Sequence, residues 1–189
     1  MLLLAACGLA MLSPLLAGRW SARLLLHRWR HPLLIWATLL LQVFVVEAPL
    51  PDALAPVLHV LTYALALAFL VVNRHLAGVL VVGAGALLNG VTIALNGGVL
   101  PASASAIAAT GVDRDGEFAN SAVVADAVLP WLGDVFAWPA PLPLANTFSV
   151  GDVLIAVGVA IAAWAGTQRL GRTGPLVAAQ AAEPVAVAP

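Results

Sequence analysis

Apolar residues run almost unbroken through five stretches of this chain, roughly 1–17, 32–48, 54–73, 76–95 and 149–166, with arginine, proline, glycine and acids collected between them. Each stretch approaches the length of about 20 residues that a helix needs to cross a hydrocarbon core about 30 Å thick. The first two are short enough to tilt little or to end within the headgroup layer. The pattern predicts an all-α integral membrane protein, a bundle of about five transmembrane helices.

Segment 97–148, about a quarter of the chain, interrupts this pattern. PASASAIAATG predicts a short helix capped by Ser103 or Ser105 and stopped at Gly111, and SAVVADAVLP a second, from near Ser121 to just before Pro130. Between them DRDGE reads as a solvated charged turn. In WLGDVFAWPAPLPLANTFSVGD, prolines and glycine-acid pairs alternate with Trp131, Phe136, Trp138 and Phe148, so one continuous helix is excluded. The prolines favour extended, polyproline-like backbone and the rings favour a membrane interface. The expectation is a polytopic domain over 1–168, with a structured loop of short helices and an extended proline-rich segment before the last span. The Ala-, Val- and Pro-rich residues 169–189 are expected to form a disordered tail.

Composition agrees with the pattern. The 189 residues are 62% hydrophobic and 9% charged, with a mean hydropathy of +1.03. Soluble domains have roughly 45–50% apolar and 25% charged residues. Charge placement adds orientation. All eight basic residues are arginine. Arg19, Arg23, Arg28 and Arg30 lie between spans one and two, Arg74 between three and four, and Arg169 and Arg172 after five; only Arg114 falls elsewhere. The positive-inside rule then places the N-terminus outside the cytoplasmic membrane and the C-terminus in the cytoplasm, and five spans satisfy that parity. Every acidic residue except Glu183 falls on the outer side, which agrees. LAAC at residues 4–7 matches the small-residue pattern before a lipid-modified cysteine. No basic region precedes it, however, and the run continues to Ala17 with arginines on its far side, so a reverse-oriented first span is expected. The stretch GRWSARLLLHRWRHP suits an amphipathic segment lying at the cytoplasmic interface, either as a topology anchor or in contact with anionic lipid.

The candidate chemistry is sparse. On a helix turning about 100° per residue, Asn89, Thr92 and Asn96 fall within about 60° of one another and form one polar stripe on span four. Amides do not face lipid unsatisfied, so the stripe should face another helix or a wet cavity, with Gly83, Gly85 and Gly90 permitting close approach. Ser149 and Asp152, in SVGD, have capping-box spacing, yet an acid at the edge of a span is also a functional candidate. Asp134 sits in a glycine-containing turn between aromatic residues, where it can cap its own backbone. Gln42, His59 and Tyr63 are isolated polar groups on apolar helices, suited to interhelical bonding. The four histidines are dispersed, and no metal, phosphate or dinucleotide motif is present, so no metal or cofactor is expected. The juxtamembrane arginines and a net charge of −1 do not support nucleic-acid binding.

Three motifs in order, NGGVLP at 96–101, LGD at 132–134 and PAPLPLANTFSVGDVLIAVG at 139–158, resemble a family of bacterial membrane proteins catalogued as domain of unknown function 5317. The likeness covers residues 1–168 in layout; a departure is Leu100, where the family carries methionine before the proline. The resemblance implies a polytopic helical membrane protein and no activity. A weaker likeness is to lipoprotein signal peptidase, an intramembrane aspartyl hydrolase. ANTFSVGD would place Asp152 as one catalytic aspartate and Asp134 as its partner, but the asparagine-to-aspartate spacing is longer and the motif carrying that family's first aspartate is missing. The leading expectation is that Asn89, Asn96, Asp134, Asn146, Ser149 and Asp152 gather at the outer face in a binding or assembly role, with a lipid, envelope or protein partner. A membrane hydrolase using Asp134 and Asp152, or a small transporter or accessory subunit, is the alternative, and the chain can pair as a homodimer.

Overall fold

The computed structural model describes residues 1–48, 50–51, 53–111 and 121–171. They are mostly helical. Five long helices form, α1 (Leu2–Leu16), α3 (Pro32–Glu47), α4 (Leu54–Val72), α5 (Val79–Leu95) and α7 (Val150–Trp164). Each lies within three residues of the stretches read from apolar pattern. Two short helices join them, α2 (Ala22–Leu25) and α6 (Ala104–Thr110). Among the described residues α4 alone has both the length and the apolarity to cross a membrane; the other four long helices are apolar but of 15–17 residues.

The long helices stand in the order α1–α7–α5–α4–α3, since α7 packs on both α1 and α5, and α4 on both α5 and α3. The α5–α7 contact is the most extensive, and its cause is visible in the residues. Gly78, at the N-cap of α5, and Gly85 repeat at the same seven-residue spacing as Gly151 and Gly158 on α7. The four meet in antiparallel register, Gly78 beside Gly158 and Gly85 beside Gly151, and a Cβ on any of them would strike atoms of the partner helix. Small residues at such a contact let backbones approach and gain dispersion along their whole length. Gly90 faces the Tyr63 ring on α4, whereas a Cβ on Gly83 would meet open space. Of the three glycines expected to permit close approach, two do so.

The two ends of this row differ. At one end lie the described arginines. β1 (Arg19–Trp20) pairs antiparallel with β6 (Gln168–Arg169), joining the segment after α1 to the segment after α7. Arg19 reinforces the joint by donating from Nε to the Thr167 hydroxyl at 2.7 Å. The chain therefore stays ordered through Gly171; most of the expected disordered tail, 172–189, lies outside the described residues. In α2, Ala22 and Leu24 are buried while Arg23 and Leu25 face out.

The other end carries a cap. β2 (Leu100–Pro101) pairs in parallel with β3 (Ser121–Ala122), and β4 (Phe136–Trp138) pairs antiparallel with β5 (Asn146–Phe148). The helix expected in PASASAIAATG forms as α6, with the Ser103 hydroxyl accepting from the Ala106 amide and Gly111 closing it in a left-handed conformation. The helix expected in SAVVADAVLP does not form. Its first residues are β3, Asp126 and Leu129 have positive φ, and only a 3-10 turn follows at Pro130–Leu132. The reason lies in Val128, whose amide donates to Asn96 Oδ1 at 2.8 Å and is thereby withdrawn from any helical ladder. The proline-rich stretch is likewise not one extended segment but a hairpin, with PAPLP in its turn region. DRDGE falls outside the described residues.

Candidate functional site

The polar stripe of α5 meets α7 just where the last glycine contact ends. Asn89 donates from Nδ2 to Asp152 Oδ1 at 2.9 Å, and its Oδ1 accepts from the Ser149 hydroxyl at 2.9 Å. The Ser149 hydroxyl in turn accepts from the Asp152 amide at 3.0 Å, and the Ser149 amide donates to Asp152 Oδ2 at 3.1 Å. The capping box read from SVGD is therefore present, with an addition that local spacing does not reveal. Asn89 closes it into a circuit linking two helices, in which both carboxylate oxygens of Asp152 are engaged. Asn89 and Ser149 are buried and Asp152 is half-buried, so these bonds form where their loss would leave polar atoms without water.

Gly151 makes the circuit possible. A Cβ there would collide with Asn89 Oδ1 and the Gly85 carbonyl, so α7 can present its first turn to Asn89 only without a side chain at this position.

One step back along the chain, Thr147 and Ser149 lie two residues apart and are both buried, as strand periodicity dictates. The Thr147 hydroxyl donates to Asp134 Oδ2 at 2.9 Å. Asp134 is buried at 6% exposure, and its backbone ties the cap together. Its amide donates to the Pro101 carbonyl at 2.8 Å, and its carbonyl accepts from the Ser103 amide at 3.0 Å. Gly133 is forced by the same approach, because a Cβ would sit on the Pro101 carbonyl oxygen. Asn146, the neighbour of Thr147, pairs in register with Trp138 and is half-buried.

Asn96 has a different task. It donates from Nδ2 to the carbonyls of Thr92 and Val128 at 2.7 and 2.8 Å and accepts from the Val128 amide. Just beyond it, Gly97 is left-handed and the Gly98 amide bonds the Ile93 carbonyl at 2.9 Å, closing α5 in a Schellman arrangement. The Gly98 carbonyl then accepts from His59 Nδ1 at 2.8 Å. His59 and Tyr63 are ring neighbours with centroids 5.7 Å apart, and Tyr63 lies within electrostatic reach of both Asp152 and Asp134. Gln42 accepts from the Thr62 hydroxyl at 2.9 Å, joining α3 to α4.

Of the six residues singled out in the sequence, the structure thus joins Asn89, Ser149 and Asp152 directly. It places Asp134 on Thr147, Asn96 on Val128 and Asn146 on the hairpin. Thr147 and Gly151 are the participants that sequence reasoning passed over; the alternation of Thr147 with Ser149 was the available signal.

The three motifs NGGVLP, LGD and NTFSVGD therefore converge on one end of the bundle, each through a close backbone approach or a buried bond. A family model described as "Family of unknown function (DUF5317)" matches residues 27–164, well over half of the chain. The chain belongs to this family. The match runs from the segment before α3 to the end of α7, so the α5–α7 circuit and the cap lie within the family region and α1 before it. A curated relative, an uncharacterized protein of Thermotoga maritima, is 32% identical over 103 residues, covering 53% of this chain and 59% of the relative. The chain thus matches less than two thirds of that relative's length. No solved structure matches this family member.

Proposed function

We propose that the chain crosses the cytoplasmic membrane five times, N-terminus outside and C-terminus inside, and acts in binding or assembly at the outer face through its cap. The observation that carries this is an apolar belt between two polar ends. Leu4 and Leu40 are 70% exposed, Leu80 66% and Val57 62%, on four different helices. Only 17% of the apolar window in α4 is buried inside the protein. Water-soluble monomers rarely expose apolar patches beyond a few hundred Å², whereas a bilayer satisfies such a surface. Helices of 15–19 residues are about 22–28 Å long at 1.5 Å per residue, which suits a thin bilayer or the headgroup anchoring that the end segments supply. Every described arginine lies at the end opposite the cap, which supports the orientation.

The geometry favours assembly over hydrolysis. An aspartyl dyad needs two carboxylates sharing a proton across a water. Asp152 is instead held through both oxygens by Asn89 and Ser149, and Asp134 bonds Thr147. What the cap offers outward is apolar and aromatic: Trp131 is 63% exposed, and Trp138, Leu142 and Leu144 are exposed with it. Aromatic residues of this kind serve at membrane interfaces and as anchors in interfaces with partners. Two measurements test the proposal. Alkaline carbonate should leave the protein in the membrane pellet, and a photo-crosslinking amino acid in place of Trp131 should capture one discrete lipid, envelope or protein partner. Release into the supernatant, or no crosslink above a control placed at the exposed Arg169, contradicts it.

A further inference from the structure

The arginine end holds a cleft. Partly open and about 360 Å³ in volume, it lies between α1, α2, α4, α5 and α7, lined by apolar side chains that include Met11, Leu24, Trp29, Phe69, Val79 and Ala162. That volume is in the range of small-molecule sites.

The cleft's own lining is apolar, and the cations of this end are chain neighbours of its lining residues. Leu24, Leu25 and Trp29 line the cleft, and Arg23, Arg28 and Arg30 alternate with them in the chain; on the other side Leu76 lines it beside Arg74 and His75. Trp29 stacks on Phe69 with centroids 5.5 Å apart. His27 meets Trp29 edge-on at 5.0 Å and lies 5.4 Å from the His75 ring. His27 Nε2 is buried with no hydrogen-bond partner among the described residues. The described carboxylates with placed side chains, Asp126, Asp134 and Asp152, all belong to the opposite end.

We propose that this cleft binds an anionic phospholipid of the cytoplasmic leaflet, one acyl chain lying along Met11, Phe69 and Val79 and the phosphate resting on Arg23, His27, Arg74 and His75. The assignment rests on the membrane-spanning reading above. Given that reading, charge complementarity selects the occupant: a chain alone would satisfy the wall but not the cations, and a free anion the cations but not the wall. The site faces the other leaflet from the cap and uses none of the cap's residues.

The test is native mass spectrometry of the full-length protein, purified in mild detergent, delipidated and titrated with dioleoyl phosphatidylglycerol, dioleoyl phosphatidylcholine or inorganic phosphate. One phosphatidylglycerol should be retained roughly tenfold more tightly than phosphatidylcholine, as one or two arginine contacts imply. Arg74→Gln with His75→Gln, both at exposed positions, should lower phosphatidylglycerol retention roughly fivefold and leave phosphatidylcholine unchanged. Val159→Phe, which fills the cleft, should lower retention of both lipids. Equal retention of the two lipids, or a preference that the rim variant does not move, overturns the inference; so does complete displacement by inorganic phosphate, which would mark an anion site instead. Should carbonate release the protein from membranes, the membrane reading and this inference fall together. A protein that stays membrane-integral without the lipid preference overturns only the inference.

Discussion

The two ends of the bundle treat polarity in opposite ways. At the cap end, polar side chains answer one another: Asn89, Ser149 and Asp152 close a circuit, Asp134 holds Thr147 and Asn96 grips Val128. At the arginine end the cations Arg23, Arg28, Arg30 and Arg74 are exposed at positions that flank the lining of an apolar cleft in the chain, and His27 Nε2 is buried without a hydrogen-bond partner among the described residues. The first arrangement fixes geometry. The second is where the proposed lipid would sit. NGGVLP, LGD and NTFSVGD sit at the first end, where their buried bonds dock the cap onto α5 and α7.

The comparison can be broken most severely at the glycines. Gly151→Leu drives a side chain into Asn89 and the Gly85 carbonyl, and should destabilise the bundle by more than about 3 kcal/mol, since neither backbone has room to yield. Its signature would be loss of monodisperse protein in detergent. Asn89→Leu is next. It strips a donor from Asp152 and an acceptor from Ser149 while leaving both at the helix interface, at a cost of about 2 kcal/mol in thermal or denaturant unfolding in detergent micelles.

Smaller changes sharpen the assignment. Asp152→Asn keeps an oxygen to accept from Ser149 or Asn89 but removes the charge at the start of α7, and should cost about 1 kcal/mol. If the cap end acts in assembly, Asp134→Asn and Asp152→Asn each leave a cellular phenotype intact provided the protein still folds. Loss of that phenotype in folded variants would favour the hydrolase instead. Asn96→Leu should release the Val128 segment, about 1 kcal/mol, read as faster proteolysis of the cap with the helices still assembled.

The smallest effect belongs to His27. Burial, then the neighbouring His75 and Arg23, hold its imidazole below the usual value of 6.5, outweighing a bond to Asn73 that acts in the other direction. The folded state therefore binds fewer protons than the unfolded one, so this contribution to stability is present above about pH 6.5 and lost as pH falls. His27→Gln should flatten that slope in delipidated protein, and bound phosphatidylglycerol, by favouring the protonated ring, should reduce it.

Much of the frame was legible before the structure. The five apolar runs became the five long helices, because a run of that composition offers no competing local structure. SVGD formed its capping box and Ser103 its helix cap, both being determined by neighbours a few residues away. What was not legible depended on partners distant in sequence. The helix expected in SAVVADAVLP gave way because Asn96, 32 residues earlier, takes the Val128 amide. Asn89 and Asp152, 63 residues apart, could be suspected as neighbours but not joined. The matched spacing of Gly78 and Gly85 with Gly151 and Gly158 was the one long-range signal in the residues, and it predicts the antiparallel α5–α7 contact once the two helices are set side by side. The cleft had no sequence signature, since its walls come from five helices.

The claim beneath all of this is that the saturated end faces out and the cationic end faces in, with five helices between. Reporter fusions at residues 50, 115 and 180, assayed in cells with paired periplasmic and cytoplasmic reporters, test it most directly. The account predicts outside, outside and inside. Any other pattern, or activity of both reporters at one position, contradicts it.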